Sequence, residues 1–197
     1  MKPNDIQSRW LDVNFLDEKI KDFSHLFNEG GVFSPSENYD LKGFILGTDF
    51  ASEYMHQKGF IKCEIHNCDF SKSIIGGKIS GTRFYNCNFT KANFLESDFP
   101  DTKFIDCQFS STAFKNPFFD DAEFIACSFN DVNFSGRKTK EDGGKRVRFL
   151  NVRFSNVNFN YLSLRSIYFE KCEFINTNSR NCIIIGAKLE SCIGSPL

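Results

Sequence analysis

Apolar positions along this chain recur every five residues. From Phe84 the series runs unbroken through Phe89, Phe94, Phe99 and Phe104 to Phe134, eleven phenylalanines in all. It resumes in phase at Phe149, Phe154, Phe159, Leu164, Phe169 and Phe174, then at Ile184 and Leu189. Upstream, Ile45, Phe50, Met55, Phe60, Ile65 and Phe70 keep the period one phase later. A period of five suits no helix, because about 100° per residue turns successive rings off any one face. It suits no straight strand, because an odd step sends the side chain to the opposite side. Both objections disappear if the backbone turns a corner within each five. Four fives then close a square coil of twenty residues with every central residue inward, and coils stack at about 4.8 Å. Residues twenty apart become vertical neighbours.

The pattern predicts an all-β fold, a right-handed quadrilateral β-helix of about seven coils. Each five carries a small residue, a polar residue, then Phe or Leu, then two free positions. Over residues 41–194 these fives resemble the pentapeptide-repeat family. Two parts are expected: a cap segment at 1–40, and a β-helix at 41–197 with an inserted basic loop at 135–146. In the cap, Ile6, Trp10, Val13, Ile20, Phe23 and Phe27 follow helical spacing. Asn4 or Asp5 is the candidate N-cap and Gly30-Gly31 the stop. VNFLD and EKIKD (13–22) also read as degenerate fives; the helix is preferred because it would cover the open coil end.

The array is interrupted twice. Between Phe70 and Ile79 the phase slips by one residue, which Gly76-Gly77 can absorb as a bulge. At 135–146, SGRKTKEDGGKR, the chain forms either two degenerate fives or a solvated loop. Gly143-Gly144 and the charges favour the loop. Looping out would carry everything after Val147 two faces round the square.

Composition supports a Phe-filled interior: 19 of the 25 Phe sit at these centres. The eight Cys all lie two residues before a centre. Ala92, Thr102, Ala122 and Val152 fill the same inward slot, so Cys is read there as a small hydrophobe and the compartment as reducing and cytoplasmic. No run of about 18 apolar residues exists to span a membrane, and no Sec-type leader is visible.

No catalytic set, metal site or cofactor-binding motif emerges, and no enzyme is expected. His66 lies between Cys63 and Cys68, but both Cys belong inward and His66 outward, so their donors would not converge on zinc. Gly76-Gly77-Lys78 lacks the frame of a phosphate loop.

Function is therefore sought on the outside. Tyr85, Ile105 and Ile125 each follow a centre and should form an outward apolar stripe, a partner site or simply a zipper between coils. Phe118 should be outward on a neighbouring face. Residues 96–131 carry eight acids and two lysines, net −6, with Asp98, Asp101, Asp120 and Asp121 as candidate contacts. Residues 145–188 are net +6. Arg137, Lys138, Lys140, Lys145 and Arg146 are candidate loop contacts. The favoured function is a non-catalytic scaffold that binds another protein, of unknown identity, through these faces. The family resemblance implies an alternative: protection of type II topoisomerases, DNA gyrase especially, from quinolone-type poisons by partial DNA mimicry. Duplex DNA of the rod's length, about 35 Å, carries about twenty negative charges. Residues 41–197 hold 20 basic and 17 acidic residues, net +3, so neither whole-rod mimicry nor direct nucleic-acid binding is expected. The C-terminal helix through which the resemblance implies such protectors dimerise is not expected here, and a dimer through the bare C-terminal coil is possible but nothing in the sequence supports it.

Overall fold

Each five builds one wall. The residue before the centre, the centre and the residue after it form a short strand; the chain then turns at the next residue. That corner requires left-handed backbone. Twenty-two non-glycine residues, Asn86, Asp101 and Asp121 among them, have φ of 50–61°. Every one is two positions after a centre. Asn and Asp tolerate this region better than other non-glycine residues, and they recur there. The second of the two free positions is therefore constrained by backbone, not by packing. These relations come from a computed structural model, which describes residues 4–27, 30–138 and 142–196.

Four faces result. On face 1, strands 63–66, 83–85, 103–105, 123–125, 148–150, 168–170 and 188–190 pair in parallel, with strand 31–33 added at the start. Ile65 to Leu189 spans six turns, below a wider first turn that seats Phe33 on Ile65. Face 2 stacks Phe70, Phe89, Phe109, Phe129, Phe154 and Phe174; face 3 stacks Phe94, Phe114, Phe134 and Phe159. Face 4 carries Phe60, Ile79, Phe99, Phe119, Gly144, Leu164 and Ile184. Rings within a column lie nearly parallel, as for Phe104 and Phe124 with centroids 5.0 Å apart at 7°. Rings on adjacent faces meet edge-on, as for Phe104 and Phe109 at 5.4 Å and 77°. Both geometries suit the ring quadrupole, and together they fill the tube.

The slot two before each centre does more than pack. Its side chain donates to the carbonyl of a centre one coil earlier: Thr112 Oγ1 to Phe89 O at 2.8 Å, Cys127 Sγ to Phe104 O at 3.3 Å, Cys172 Sγ to Phe149 O at 3.3 Å. Reading these Cys only as small hydrophobes misses this role. A thiol is a weak donor and a hydroxyl a stronger one, whereas Ala and Val in the same slot pack without any such bond.

The first coil is plugged from above. Helix α1 (Asp5–Ser8) starts from a capping box between Asn4 and Gln7. A 3₁₀ turn at 9–11 follows, and Asp12 caps helix α2 (Val13–Ile20) through Phe15 N at 3.0 Å. Degenerate fives at 13–22 do not form. Trp10 is buried edge-on against Phe44 at 4.9 Å, and its indole N–H donates to Lys42 O at 2.8 Å. Gly31 opens a strand and is not a helix stop.

Three expectations about the array need correction. Leu46, not Ile45, shares the column of Ile75. Met55 is buried but lies in helix α3 (Glu53–His56), so the coil leaves the wall between Gly47 and Phe60. The basic segment is a loop only in part. Phe124 stacks on Phe149 and Phe129 on Phe154, twenty-five residues apart, so one five is extruded. The other stays: Gly143–Lys145 pairs with Ser163–Arg165 as a strand of face 4. Downstream faces therefore move by one, not two. Gly144 is a centre without a ring because a Cβ there would lie 2.9 Å from the backbone of Phe119. The phase slip falls where the glycines allow it, between Gly76 and Lys78.

Candidate functional site

Outward positions flank each centre, and coil stacking lines them up. On face 1, Tyr85 pairs in register with Ile105, and Ile105 with Ile125. All three are half-buried. The stripe is longer than the three residues expected. His66 stacks flat on Tyr85, centroids 4.4 Å apart at 9°, and Leu150 continues below Ile125. Leu150 follows a centre as the others do, but it comes twenty-five residues after Ile125, and only the extruded five explains that offset. The column on the other side of the centres is charged and internally paired. Arg83 meets Glu64 at 3.4 Å, Lys103 meets Glu123 at 3.0 Å, and Arg148 approaches Glu123 at 3.8 Å.

Phe118 is on face 4 and is 44% exposed. It bridges Asp98 on the coil above and Gly143 on the coil below. Burial raises the carboxyl pKa of Asp98; Lys78 opposes the shift and Asp120 adds to it. Asp101 is an exposed corner residue. Asp120 and Asp121 are partly used inside the fold. Asp120 Oδ1 accepts from Lys145 N at 2.9 Å, and Asp121 holds Arg146 through two bonds of 2.6 and 2.5 Å. The Arg146 guanidinium keeps the Asp121 carboxyl below its ordinary pKa. At these positions candidate acids and candidate loop bases pair with one another within the chain.

Of the other loop contacts, Lys145 and Arg146 belong to the wall and its corner. Arg137 folds back on Asp142, Nη2 to Oδ1 2.5 Å, and approaches Glu96 at 3.8 Å. Lys138 is exposed, with its ammonium 5.3 Å from the Tyr161 ring centroid. Lys140 lies outside the described residues. The Cys thiols face inward. Burial raises the pKa of Cys87, Cys107 and Cys127, and pushes Cys172 up to about 12. His66 points out, away from Cys63 and Cys68. Among the described residues no group of three or more His, Cys, Asp or Glu converges on a metal position. No described helix is long and apolar enough to cross a membrane.

The family model described as a pentapeptide repeat region matches residues 78–141. That stretch is a pentapeptide repeat region. It covers about a third of the chain, and pentapeptide coils continue beyond it in the register of face 1 as far as Leu189. Among solved structures the chain is similar to a trypsin-treated form of QnrB1, a plasmid-mediated fluoroquinolone resistance protein. Identity is 23%, with 85% of this chain and 72% of that chain covered and a TM-score of 0.41. It is also similar to HetL, a pentapeptide repeat protein involved in heterocyst differentiation regulation from the cyanobacterium Nostoc sp. strain PCC 7120. There identity is 9%, coverage 92% and 94%, and the TM-score 0.38. Rfr23, a pentapeptide repeat protein from the cyanobacterium Cyanothece 51142, gives 10% identity, coverage of 84% and 86%, and a TM-score of 0.30. No curated protein matches the sequence.

Proposed function

We propose that this pentapeptide-repeat rod is a non-catalytic scaffold that binds another protein through face 1. The observation that carries the reading is the stripe His66, Tyr85, Ile105, Ile125 and Leu150, one residue per coil in register on one wall. The interior is occupied by rings, so binding falls to the skin of the tube. The charged column beside the stripe pairs with itself, so it adds solubility and a polar rim, while the apolar stripe supplies the area removed from water. A partner with an apolar ridge would cover it. Partial mimicry of DNA gains no support from the charges: Asp121, Glu123 and Asp142 all meet cations of this chain.

The test is capture from native lysate with the wild type and an Ile105→Asp, Ile125→Asp double variant of matched melting temperature. Loss of a specific partner in the variant supports the reading. Equal recovery by both rejects face 1. A supercoiling assay with purified gyrase and a quinolone separately asks whether a topoisomerase is that partner.

A further inference from the structure

The slot two before each centre of face 2 forms a column of its own. From top to bottom it reads Cys68, Cys87, Cys107, Cys127, Val152, Cys172 and Cys192. Six of the eight cysteines therefore share one line. Backbone bonds fix the register: Gln108 N donates to Cys87 O at 3.0 Å, Ser128 N to Cys107 O at 3.1 Å, and Ile193 N to Cys172 O at 2.8 Å. Neighbouring slots are one coil apart, about 4.8 Å. Their side chains interact, as Cys172 does with Cys192. The four upper thiols are buried. Cys192 is half-exposed in the last described coil, directly below buried Cys172.

The spacing decides what such a pair can hold. A disulfide needs its Cβ atoms about 3.8 Å apart. Stacked strands hold theirs about one coil spacing apart, so closing the bridge would pull two coils together. A thiolate–metal bond is about 2.3 Å long. Two of them end to end span about 4.6 Å, close to the coil spacing, so an ion on the line between the sulfurs needs no cavity and little movement of the walls. Ligand number then selects the ion. Zinc takes four ligands, and among the described residues no third donor converges here. Copper(I) favours thiolates and is satisfied by two in a line.

We propose that Cys172 and Cys192 form a two-sulfur site for a soft monovalent cation, copper(I). On binding, two S–H bonds break, two S–Cu bonds form and two protons pass to solvent; no electron moves. The thiol bonds to Phe149 O and Phe169 O, 3.3 and 3.5 Å, are given up, and such bonds are weak. The ion ties the last described coil to the one above it and leaves the stripe of face 1 untouched.

Cys182 is an internal control. It is half-exposed like Cys192, but the residue above it in its own column is Leu162, whose carbonyl accepts from Ile183 N at 2.8 Å. A single accessible thiol and a stacked pair can thus be told apart within one molecule.

The experiment titrates the reduced full chain with copper(I) under argon, in competition with the chromophoric chelator bicinchoninate. The bound state is then alkylated briefly with iodoacetamide and mapped by peptide mass spectrometry. One ion per chain is expected, with Cys192 protected and Cys182 still alkylated. Cys192→Ser should weaken binding by more than the roughly 10–100-fold that loss of an outer-shell partner costs. Cys172→Val, which fills the slot as Val152 does one coil above, should do the same. Cys182→Ser should leave binding unchanged. Three results overturn the proposal. One is a wild type that holds no ion against the chelator. Another is an affinity that Cys182→Ser lowers as much as Cys192→Ser, the mark of isolated surface thiols. The third is uptake that survives both Cys172→Val and Cys192→Ser, which places the metal elsewhere.

Discussion

Arg146 closes on Asp121, a residue twenty-five positions earlier, with Nε 2.6 Å from one carboxylate oxygen and Nη2 2.5 Å from the other. Both side chains leave the wall at corners of adjacent coils, where the backbone is left-handed. The pair records the extruded five, since without it the corner below Asp121 would lie twenty residues on. It also joins the acidic middle of the rod to the basic segment that follows.

Acid should erase this contribution. Arg146 holds the Asp121 carboxyl below its ordinary value of 3.8. A depressed folded-state pKa stabilises the fold above the ordinary value, and the stabilisation is lost as pH falls through the folded value. Melting curves of the wild type and Asp121→Asn should differ modestly near neutral pH and converge in acid. A gap independent of pH would assign the effect to packing.

Interior and exterior positions of one strand should separate sharply. Phe109 is fully buried between Phe89 and Phe129, while Ser110 beside it faces out. Phe109→Ala should cost about 3–5 kcal/mol in denaturant unfolding. Ser110→Ala should stay within about 0.5 kcal/mol. Similar costs would contradict the facing.

The inward hydroxyl should matter for its bond. Thr112→Val keeps the shape but removes the 2.8 Å bond to Phe89 O, which keeps the Ala92 N–H at 3.0 Å. A loss of about 0.5–1.5 kcal/mol is expected, and Thr112→Ser should recover part of it. If the valine variant melts with the wild type, the slot is packing alone.

Thiol reactivity should follow depth. Six of the eight Cys are buried, whereas Cys182 and Cys192 in the last coils are half-exposed. Brief treatment of the native protein with iodoacetamide should modify those two first, read by peptide mass spectrometry, because alkylation needs an accessible thiolate. Early labelling of Cys107 or Cys127 would mean that the tube opens.

Arg137 should be needed chiefly for Asp142. The Asp142 side chain is fully buried and Arg137 supplies bonds to both of its oxygens. Arg137→Ala removes the cation from a buried carboxylate, which keeps the backbone N–H of residue 137 at 2.6 Å, and should lower the melting temperature by several degrees. Adding Asp142→Ala should recover much of that loss. No recovery would make the guanidinium's own packing the cause.

Sequence periodicity alone determined the tube. Phe at every fifth position, Cys and Thr two places earlier, and the twenty-residue ladder are all local or strictly repeated, so they can be read without coordinates. Helical spacing likewise announced the plug, though not its break at Asp12. What only the tertiary structure decided were the places where the repeat is broken. Whether five or ten residues leave the wall after Ser135 depends on whether Gly144 can lie against the backbone of Phe119, a contact between residues far apart in sequence. That choice sets Leu150 under Ile125, Arg146 under Asp121 and Gly143 under Phe118. The surface relations follow from it, because a shift of one face moves every outward side chain while leaving the interior pattern unchanged.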